Sequence, residues 1–394
     1  MGESIDVSPD DASLAFSYYT NGNESLYIGD IETGEVEQAA VSDDGNDHRQ
    51  PLFSPDGKSL LYLAADDEGV QRLHHLSDTD SEESVVLSEA DMHVFDMVMT
   101  PDQEKVYYIA MPREDFLAPE GEMEHGRDLH VVNIEGSQHE KLTDKDEFDM
   151  SGLNISDDGS TLFYKSFYND GLSAYDIEEG TESTILRGEL PNDFYQPDFS
   201  PDEETLAYTA VDEKSEQGTF LYELFLMGVE SGDVERLTDY NASVTSPAFF
   251  HEEERIAFLA QGNWPGEPAE YEIMTVSYDG GDMAPLEMKL PEAENSFQPG
   301  AVVDGMVNPA TLTVLYLLVF GLSVVYCHPV GTTYRPVLIS AAIMGSAGVD
   351  TVIASFSNPW MGIALGMITI WLAVCTILLL IFTFIYSKFS KVEY

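Results

Sequence analysis

The sequence predicts an all-β protein, a six-bladed β-propeller, followed by three transmembrane α-helices. A turn motif recurs every 44 to 56 residues through the first three quarters of the chain, and three long apolar runs follow it. Charge separates the two parts. Only 14 Lys and Arg accompany 70 Asp and Glu before residue 309, whereas the last 86 residues carry three basic and two acidic side chains.

The repeated turn reads Ser-Pro-Asp or a close variant, with Gly in the fourth place in two copies. Ser or Thr in the first position bonds back to the backbone, Pro presets the next φ, and Gly relieves crowding at the fourth. The spacing is typical of blades that contain four strands each. The copies begin at Ser8, Ser54, Thr100, Ser156 and Ser200, with a degenerate copy at Phe250.

Each turn lies between two runs rich in aromatic and β-branched residues, which favour strands. "PLFS" and "PDFS" precede the turn, and "LLYLA", "VYYIA", "LFYKS", "LAYTA" and "IAFLA" follow it. A third run closes on a Gly turn, as in "SLYIGDIETG", and a fourth reads "VERLTD" or "HEKLTD". A four-stranded unit is stable only when its neighbours cover its faces, so we expect the six units to close into a ring.

The ordered elements FSPDG…LLY…LYxxDxxxG…xxLTD resemble those of the TolB-like six-bladed propellers, relatives of the tryptophan–aspartate (WD40) repeat propellers. The resemblance covers residues 1–305 and implies the fold, while such domains serve as scaffolds, sensors and substrate gates. The stretch "NSFQPGAVVDG" at 295–305 looks like another first strand, so a seventh blade stays open. We therefore assign 1–305 to the propeller and 306–394 to a membrane domain.

The acidity of the propeller argues against nucleic acid as a partner, because affinity for DNA and RNA comes mainly from neutralised phosphates. The recurring aromatic and branched residues argue against disorder. We interpret the acid as a coat that keeps a folded surface hydrated at high salt or high pH, an adaptation of halophiles or alkaliphiles. Both cysteines lie in the apolar tail, which excludes a disulfide framework and a Cys-based zinc site in the acidic part.

The tail is predicted to lie in the cell membrane. The positive-inside rule puts its end and the connection carrying Arg335 in the cytoplasm, and hence the propeller outside. Residues 1–20 show no secretory leader; either an N-terminal helix is missing from the sequence or the propeller is cytoplasmic in a salt-adapted cell, and we favour the first. Asp350 is the one ionisable residue inside a run, which makes it a functional candidate. The runs span about 310–327, 336–356 and 361–386.

No catalytic motif is visible in the sequence. It contains no GxSxG nucleophile elbow, HExxH, P-loop or GxGxxG. The acidic runs at 42–47 and 78–84 lack the ligand order of a calcium loop. We therefore expect a protein that is not an enzyme and that holds no cofactor or metal.

The best candidate for a ligand site is geometric, because the loops that lead into the first strands of a propeller converge on the mouth of its channel. Arg49 is one of few cations in an acidic field, and a guanidinium suits a carboxylate or carbonyl ligand. His48 and His93 alone are too few for a catalytic zinc site. The alternative is that these side chains only satisfy backbone groups between blades. The candidates are His48, Arg49, Gln50, His93, Phe95, Asp149, Tyr195, Gln196, Ser243 and Thr245.

These observations favour a propeller anchored in the lipid bilayer that binds or senses a protein or a cell-envelope polymer. Two alternatives remain open. One is a propeller enzyme, a lyase or hydrolase that uses the channel mouth. The other is an accessory subunit whose helices dock in a membrane complex while the propeller serves as a scaffold.

Overall fold

The computed structural model contains two compact units, Met1–Glu294 and Asn295–Tyr394. The residues it describes are 2–20, 23–40, 46–77, 84–119, 121–166, 171–187, 190–191, 194–214, 219–266, 269–291, 309–357 and 359–390.

The first unit consists of six four-stranded antiparallel sheets, and each sheet is built from strands that follow one another in the chain. A one-turn helix, α1 (Arg113–Phe116), interrupts the third sheet between its second and third strands. Blades 1 to 3 contain β1 Ile5–Val7, β2 Ser13–Thr20, β3 Asn23–Asp30, β4 Val36–Ala40, β5 Asp47–Phe53, β6 Leu60–Ala65, β7 Gln71–Leu76, β8 Ser84–Val86, β9 Met92–Met99, β10 Lys105–Pro112, β11 Asp128–Asn133 and β12 Glu140–Lys141.

The other three blades repeat this plan. They contain β13 Met150–Ile155, β14 Thr161–Ser166, β15 Leu172–Asp176, β16 Thr181–Ile185, β17 Phe194–Phe199, β18 Thr205–Lys214, β19 Phe220–Gly228, β20 Val234–Arg236, β21 Ser243–Phe249, β22 Arg255–Gln261, β23 Tyr271–Ser277 and β24 Ala284–Pro285. The predicted six-bladed propeller is confirmed. The stretch 295–305, which left a seventh blade open, lies outside the described residues.

The hydrophobic core is divided among the interfaces between neighbouring blades. Leu61 and Leu73 of blade 2 pack with Val106 and Tyr108 of blade 3, for example, and all four are fully buried. Each blade offers two apolar faces and covers one face of each neighbour. A single blade would leave both faces in water, which explains why the sequence repeats the unit until the ring closes.

The Ser-Pro-Asp turns have the same hydrogen bonds in blade after blade. In blade 2 the Ser54 hydroxyl donates to Asp56 Oδ1 at 2.9 Å and accepts the Ser59 N–H at 3.0 Å. Gly57 adopts φ +71°, and a Cβ there would lie 3.4 Å from Pro9 of the preceding blade. Glycine is not required at this position, because Asp11 and Glu203 adopt the same left-handed backbone with φ of 55° and 57°.

The ring closes between blades 6 and 1 without exchange of a strand among the described residues. The Asp11 carboxylate accepts three successive backbone N–H groups of blade 6, at 2.6, 2.8 and 3.1 Å. Ser246 Oγ accepts the Ile5 N–H at 3.1 Å. Apolar side chains of both blades pack across the seam. Hydrogen bonds to side-chain acceptors and apolar packing therefore join blade 6 to blade 1, in place of a sheet shared by the two ends of the chain.

The second unit contains three helices, α2 Pro309–Cys327, α3 Arg335–Ser357 and α4 Pro359–Phe389. Its inward side combines apolar side chains, such as Val324, Val337 and Leu379, with hydroxyl groups. Ser340 Oγ lies 2.8 Å from Tyr316 Oη and 2.6 Å from Thr376 Oγ1, so one hydrogen-bonded chain joins all three helices. Its outward side is apolar, with more than half of the surface of Leu322, Leu338, Met367 and Ile370 exposed. A water-soluble bundle would instead place polar side chains on this outer surface.

Length and composition identify one helix of this unit as a candidate membrane span among the described residues, Leu365–Phe389, with mean hydropathy 2.7. Leu312–Cys327 is apolar but shorter. All three predicted apolar runs are helical. By helix length and hydropathy, however, only one of the three qualifies as a candidate membrane span, so these two criteria do not support a multi-pass arrangement. Asp350 is exposed on α3, and among the described residues it makes no hydrogen bond or ion pair.

Candidate functional site

Two kinds of connection lie together at one end of the ring, the segments that lead into the first strands and the loops between the second and third strands. We call this the mouth end, and the opposite end, with the Ser-Pro-Asp turns, the turn end. The ten predicted site residues all lie at the mouth end, in blades 2 to 6. They are placed on β5 (His48, Arg49, Gln50), on β9 (His93, Phe95), directly before β13 (Asp149), on β17 (Tyr195, Gln196) and on β21 (Ser243, Thr245).

Arg49 is held by carboxylates of its own chain. Its Nε donates to Glu24 Oε2 at 2.7 Å, and its Nη2 donates to Asp47 Oδ2 at 2.9 Å. Glu24 is itself buried and accepts the Ser17 hydroxyl at 2.6 Å. The carboxylate ligand that the sequence suggested for Arg49 is therefore already supplied by blades 1 and 2.

Neighbouring predicted residues serve the fold in different ways. His48 is buried, with its ring centroid 4.9 Å from that of Tyr62. Gln50 and Gln196 occupy equivalent bulges in their first strands and share φ of about 50°. Gln196 Oε1 accepts the Ser246 N–H at 2.8 Å and the Thr245 hydroxyl. Gln50 Oε1 is buried and has no hydrogen-bond partner among the described residues.

Blades 3 and 4 form an aromatic cluster around a cation that the sequence reading missed. Arg127 lies with its guanidinium carbon 3.7 Å from the centroid of Phe95 and donates to Asp149 Oδ1 at 2.8 Å. The ring of Phe116, from α1, stacks on His93 at 3.6 Å. Burial, with the charge of Arg127 as a second cause, lowers the pKa of His93 to about 4. His93 is therefore a neutral packing residue at physiological pH.

The loops of the mouth end are held by buried carboxylates of the third strands. Glu223 accepts the Thr238 hydroxyl at 2.6 Å and the N–H groups of Tyr240 and Asn241 at 3.0 and 2.8 Å. Asp128 occupies the same place in blade 3, where it accepts the hydroxyl of Thr143 at 2.7 Å. Thr143 and Thr238 are the threonines of the repeated "LTD" motif. The motif therefore fixes the connection to the next blade.

Three aspartates of the first strands line the channel in alternate blades. Asp6, Asp96 and Asp198 each accept a backbone N–H from the first strand of the next blade, at 2.6, 2.9 and 3.3 Å. Their side chains are partly accessible. Burial raises the pKa of Asp6 and Asp198 to about 7 and that of Asp96 to about 6. These carboxyls join neighbouring blades.

Exposed apolar side chains are concentrated at the mouth end. Ten large apolar residues of the described propeller are more than a third exposed, and six of them lie there. The other four lie on or beside the outermost strands. Apolar groups gathered on one face of a soluble domain indicate a surface that contacts another molecule. The six are Tyr19, Leu117, Met123, Phe148, Tyr195 and Phe220.

Four aromatic residues of blades 5 and 6 form a continuous surface, which we call the aromatic row: Tyr195, Phe220, Tyr222 and Trp264. Tyr195 meets Tyr222 edge to face with ring centroids 5.9 Å apart, and Tyr222 meets Trp264 in the same way at 5.9 Å. Trp264 Nε1 donates to the Phe220 carbonyl at 2.8 Å, which ties the blade 6 loop to blade 5. Only Tyr195 was among the predicted residues.

The described residues contain no group of three His, Cys, Asp or Glu side chains arranged to hold a metal ion. At the mouth His93 accepts the Gln71 N–H through Nδ1, Asp149 is bound to Arg127, and the Ser17 hydroxyl that donates to Glu24 is buried.

No family model matches the sequence, and no curated protein matches it. Solved structures do match. TolB from Acinetobacter baumannii is 16% identical, with a TM-score of 0.56 over 72% of this chain and 66% of that one. A TolB from Agrobacterium tumefaciens, described as putative, is 18% identical, with a TM-score of 0.51 over 69% of this chain and 88% of that one. An oligogalacturonate lyase in complex with manganese is 16% identical over 71% of this chain and 90% of that one, with a TM-score of 0.46.

At these identities the likeness concerns the fold alone. It agrees with the strand order, the ring closure and the repeated turns described above. The acidic unit of this chain is a six-bladed β-propeller with the fold seen in TolB proteins.

Proposed function

We propose that this chain is a membrane-anchored, non-catalytic binding or scaffold module whose propeller engages a protein or a cell-envelope polymer through its mouth end. The propeller is extracytoplasmic in this proposal, as the distribution of Lys and Arg in the apolar tail indicates. The observation that carries the proposal is the concentration of exposed apolar side chains at the mouth end. Monomeric soluble domains rarely gather such groups on one face unless another molecule covers them.

The apolar outer surface of the second unit supports an anchor of three spans. Hydrogen bonds such as Thr351 to Thr369 at 2.9 Å and Trp371 to Thr313 at 2.7 Å join the helices internally. Polar pairs of this kind hold helices together in lipid, where apolar contact alone gives little preference for a helix over a lipid tail. The exposed apolar side chains then face the bilayer.

The enzyme alternative is less well supported by the mouth end. A lyase or hydrolase needs a base, a metal or an oxyanion site, and the polar groups that converge here are engaged with each other, as in the Arg49–Glu24 and Arg127–Asp149 pairs. The binding proposal makes no use of His48 or His93, because both are buried. Replacing both by Ala and finding a substrate turnover that disappears would support an enzyme instead.

Site-specific photo-crosslinking in native membranes tests the binding proposal. A photoreactive phenylalanine analogue at Tyr195 is expected to give a discrete adduct with a protein or polymer. The same analogue at Val234 is the matched control, because Val234 is 46% exposed on the outermost strand of the same blade. Equal adducts at both positions, or none at Tyr195, would contradict the proposal.

Labelling of single cysteines tests the three spans. In a background with Cys327→Ala and Cys375→Ala, we would introduce Gly331→Cys between α2 and α3 and Tyr394→Cys at the end of the chain. With three spans, an impermeant reagent labels both positions from the side opposite to the propeller. With α4 as the sole span, Gly331→Cys is labelled from the propeller side instead.

A further inference from the structure

The aromatic row extends over two blades and is held in place by the fold. The ring of Tyr222 contacts those of Tyr195 and Trp264 edge to face, and the hydrogen bond from Trp264 to the Phe220 carbonyl fixes the blade 6 loop against β19. Aromatic groups held in this way provide a large contact area at a small cost in conformational entropy, which is why such groups dominate protein-binding surfaces. Tyr195 and Phe220 remain 41% and 48% exposed.

The charges around the row favour a cationic partner. Asp239 is 80% exposed at its side chain, and Glu270 and Glu272 beside the Trp264 loop are exposed. The nearby cations are engaged: Arg236 pairs with Asp212 and Asp239, and Lys165 donates to the Phe194 carbonyl while lying 4.7 Å from the Tyr195 ring. Arg187, at the end of blade 4, is exposed and has no ion pair among the described residues.

We propose that the aromatic row binds a polypeptide segment in which one or two apolar or aromatic side chains are flanked by Lys or Arg. The apolar side chains pack on the surface formed by Tyr195, Tyr222 and Trp264, and the basic groups face the exposed carboxylates beside them. This inference rests on the proposed binding function and adds the chemistry of the partner. A carbohydrate of uronic acids, in contrast, would bring negative charge to a surface that already has an excess of it.

A selection experiment tests the proposed chemistry. The full-length protein in lipid nanodiscs is exposed to a displayed library of random twelve-residue peptides at low salt, and the composition of the retained pool is read by sequencing. We expect enrichment of peptides with aromatic residues next to Lys or Arg. Synthetic copies of the retained peptides should bind at least tenfold more weakly after their basic residues are changed to Glu, or when the salt rises from about 50 to 500 mM.

Variants of the row and of a matched position complete the test. Tyr195→Ala and Phe220→Ser should each weaken binding of the retained peptides at least tenfold, with unchanged far-UV circular dichroism. Tyr19→Ala is the control, because Tyr19 is 57% exposed at the same end of the ring but lies in blade 1. If acidic or uncharged peptides are retained, or if Tyr19→Ala has the same effect, the inference is wrong although the mouth end still binds peptides. If no peptide is retained, the inference fails, and a crosslinked adduct at Tyr195 then decides whether the binding function itself stands.

Discussion

The two ends of the ring are built on different principles. At the turn end blades 1 to 5 repeat one arrangement, in which a Ser or Thr hydroxyl bonds to the Asp two positions on and accepts the N–H five positions on. At the mouth end the blades differ, from the Arg49–Glu24 pair to the Arg127 cluster and the aromatic row. The turn contacts with which a blade folds are repeated along the chain. The side chains that the assembled ring presents to another molecule at the mouth end are not repeated.

The largest expected effect concerns the carboxylate that holds the mouth end together in blade 5. Glu223→Ala removes the acceptor of a hydroxyl and of two backbone N–H groups, all of which are then left without that partner in a buried site. We expect the free energy of unfolding to fall by about 3–5 kcal/mol, measured by chemical denaturation followed by circular dichroism.

The matched control for this substitution is Glu235→Ala, which changes an exposed glutamate on the outer strand of the same blade. That substitution should alter the free energy of unfolding by less than about 0.5 kcal/mol. Equal effects of the two substitutions would show that Glu223 does not anchor the mouth end.

The channel wall between the two ends should make stability depend on pH. The raised pKa of Asp6 means that the folded state holds its proton more tightly than the unfolded state. Its contribution to stability is therefore present below about pH 4 and is lost as the pH rises through about 7. Because the side chain is partly accessible, we expect a change on the order of 1–2 kcal/mol over this range.

The pH dependence can be assigned to the channel by substitution. Asp6→Asn should reduce the loss of stability between pH 4 and 7 by the contribution of one carboxyl. Asp6→Asn with Asp198→Asn should reduce it further, since burial raises the pKa of Asp198 as well. Thermal unfolding across this pH range measures the effect. Glu235→Asn, at an exposed position, should leave the slope unchanged.

At the turn end we expect smaller and equal effects. Ser54→Ala and Ser200→Ala each remove one hydroxyl that donates to an Asp and accepts a backbone N–H. Each should lower the free energy of unfolding by about 1–2 kcal/mol, as for the loss of a capping hydroxyl. Widely different values for these two equivalent positions would contradict the view that the turn end is uniform.

The smallest expected effect is that of Arg49→Ala. The guanidinium is 45% exposed at its side chain, and its pair with the partly exposed Asp47 contributes about 1 kcal/mol or less. The buried carboxylate of Glu24 keeps the Ser17 hydroxyl as a donor after the substitution. We also expect the affinity for peptides retained by the aromatic row to change less than threefold. A tenfold loss of peptide affinity would indicate that Arg49 belongs to the ligand site, and it would argue against a binding site confined to blades 5 and 6.

The sequence allowed the turn end to be predicted in detail because its chemistry is local. A Ser, a Pro and an Asp within three residues specify their own hydrogen bonds, and five copies with a degenerate sixth, 44 to 56 residues apart, specify a ring. Local runs of aromatic and branched residues also predicted the second strand of each blade, such as β6 at "LLYLAA" and β22 at "RIAFLAQ".

The mouth end was predicted only in its position. The partners of Arg49, Phe95 and Asp149 come from other strands and loops, and no spacing in the chain specifies them. Arg127 and Trp264 lie in loops between the second and third strands whose lengths differ from blade to blade. The exposed aromatic residues of "TFLYEL" and "GNWPG" were the one signal that could have pointed to the aromatic row.

The closure of the ring by Asp11 and Ser246 has a consequence for biosynthesis. Because each sheet is made from consecutive strands, a chain leaving the ribosome can finish one blade before the next begins. The face of blade 1 that packs against blade 6, however, stays uncovered until the sixth blade has been translated, some 240 residues later. Throughout that interval an apolar surface is open to water, and the nascent chain is then most vulnerable to aggregation and proteolysis.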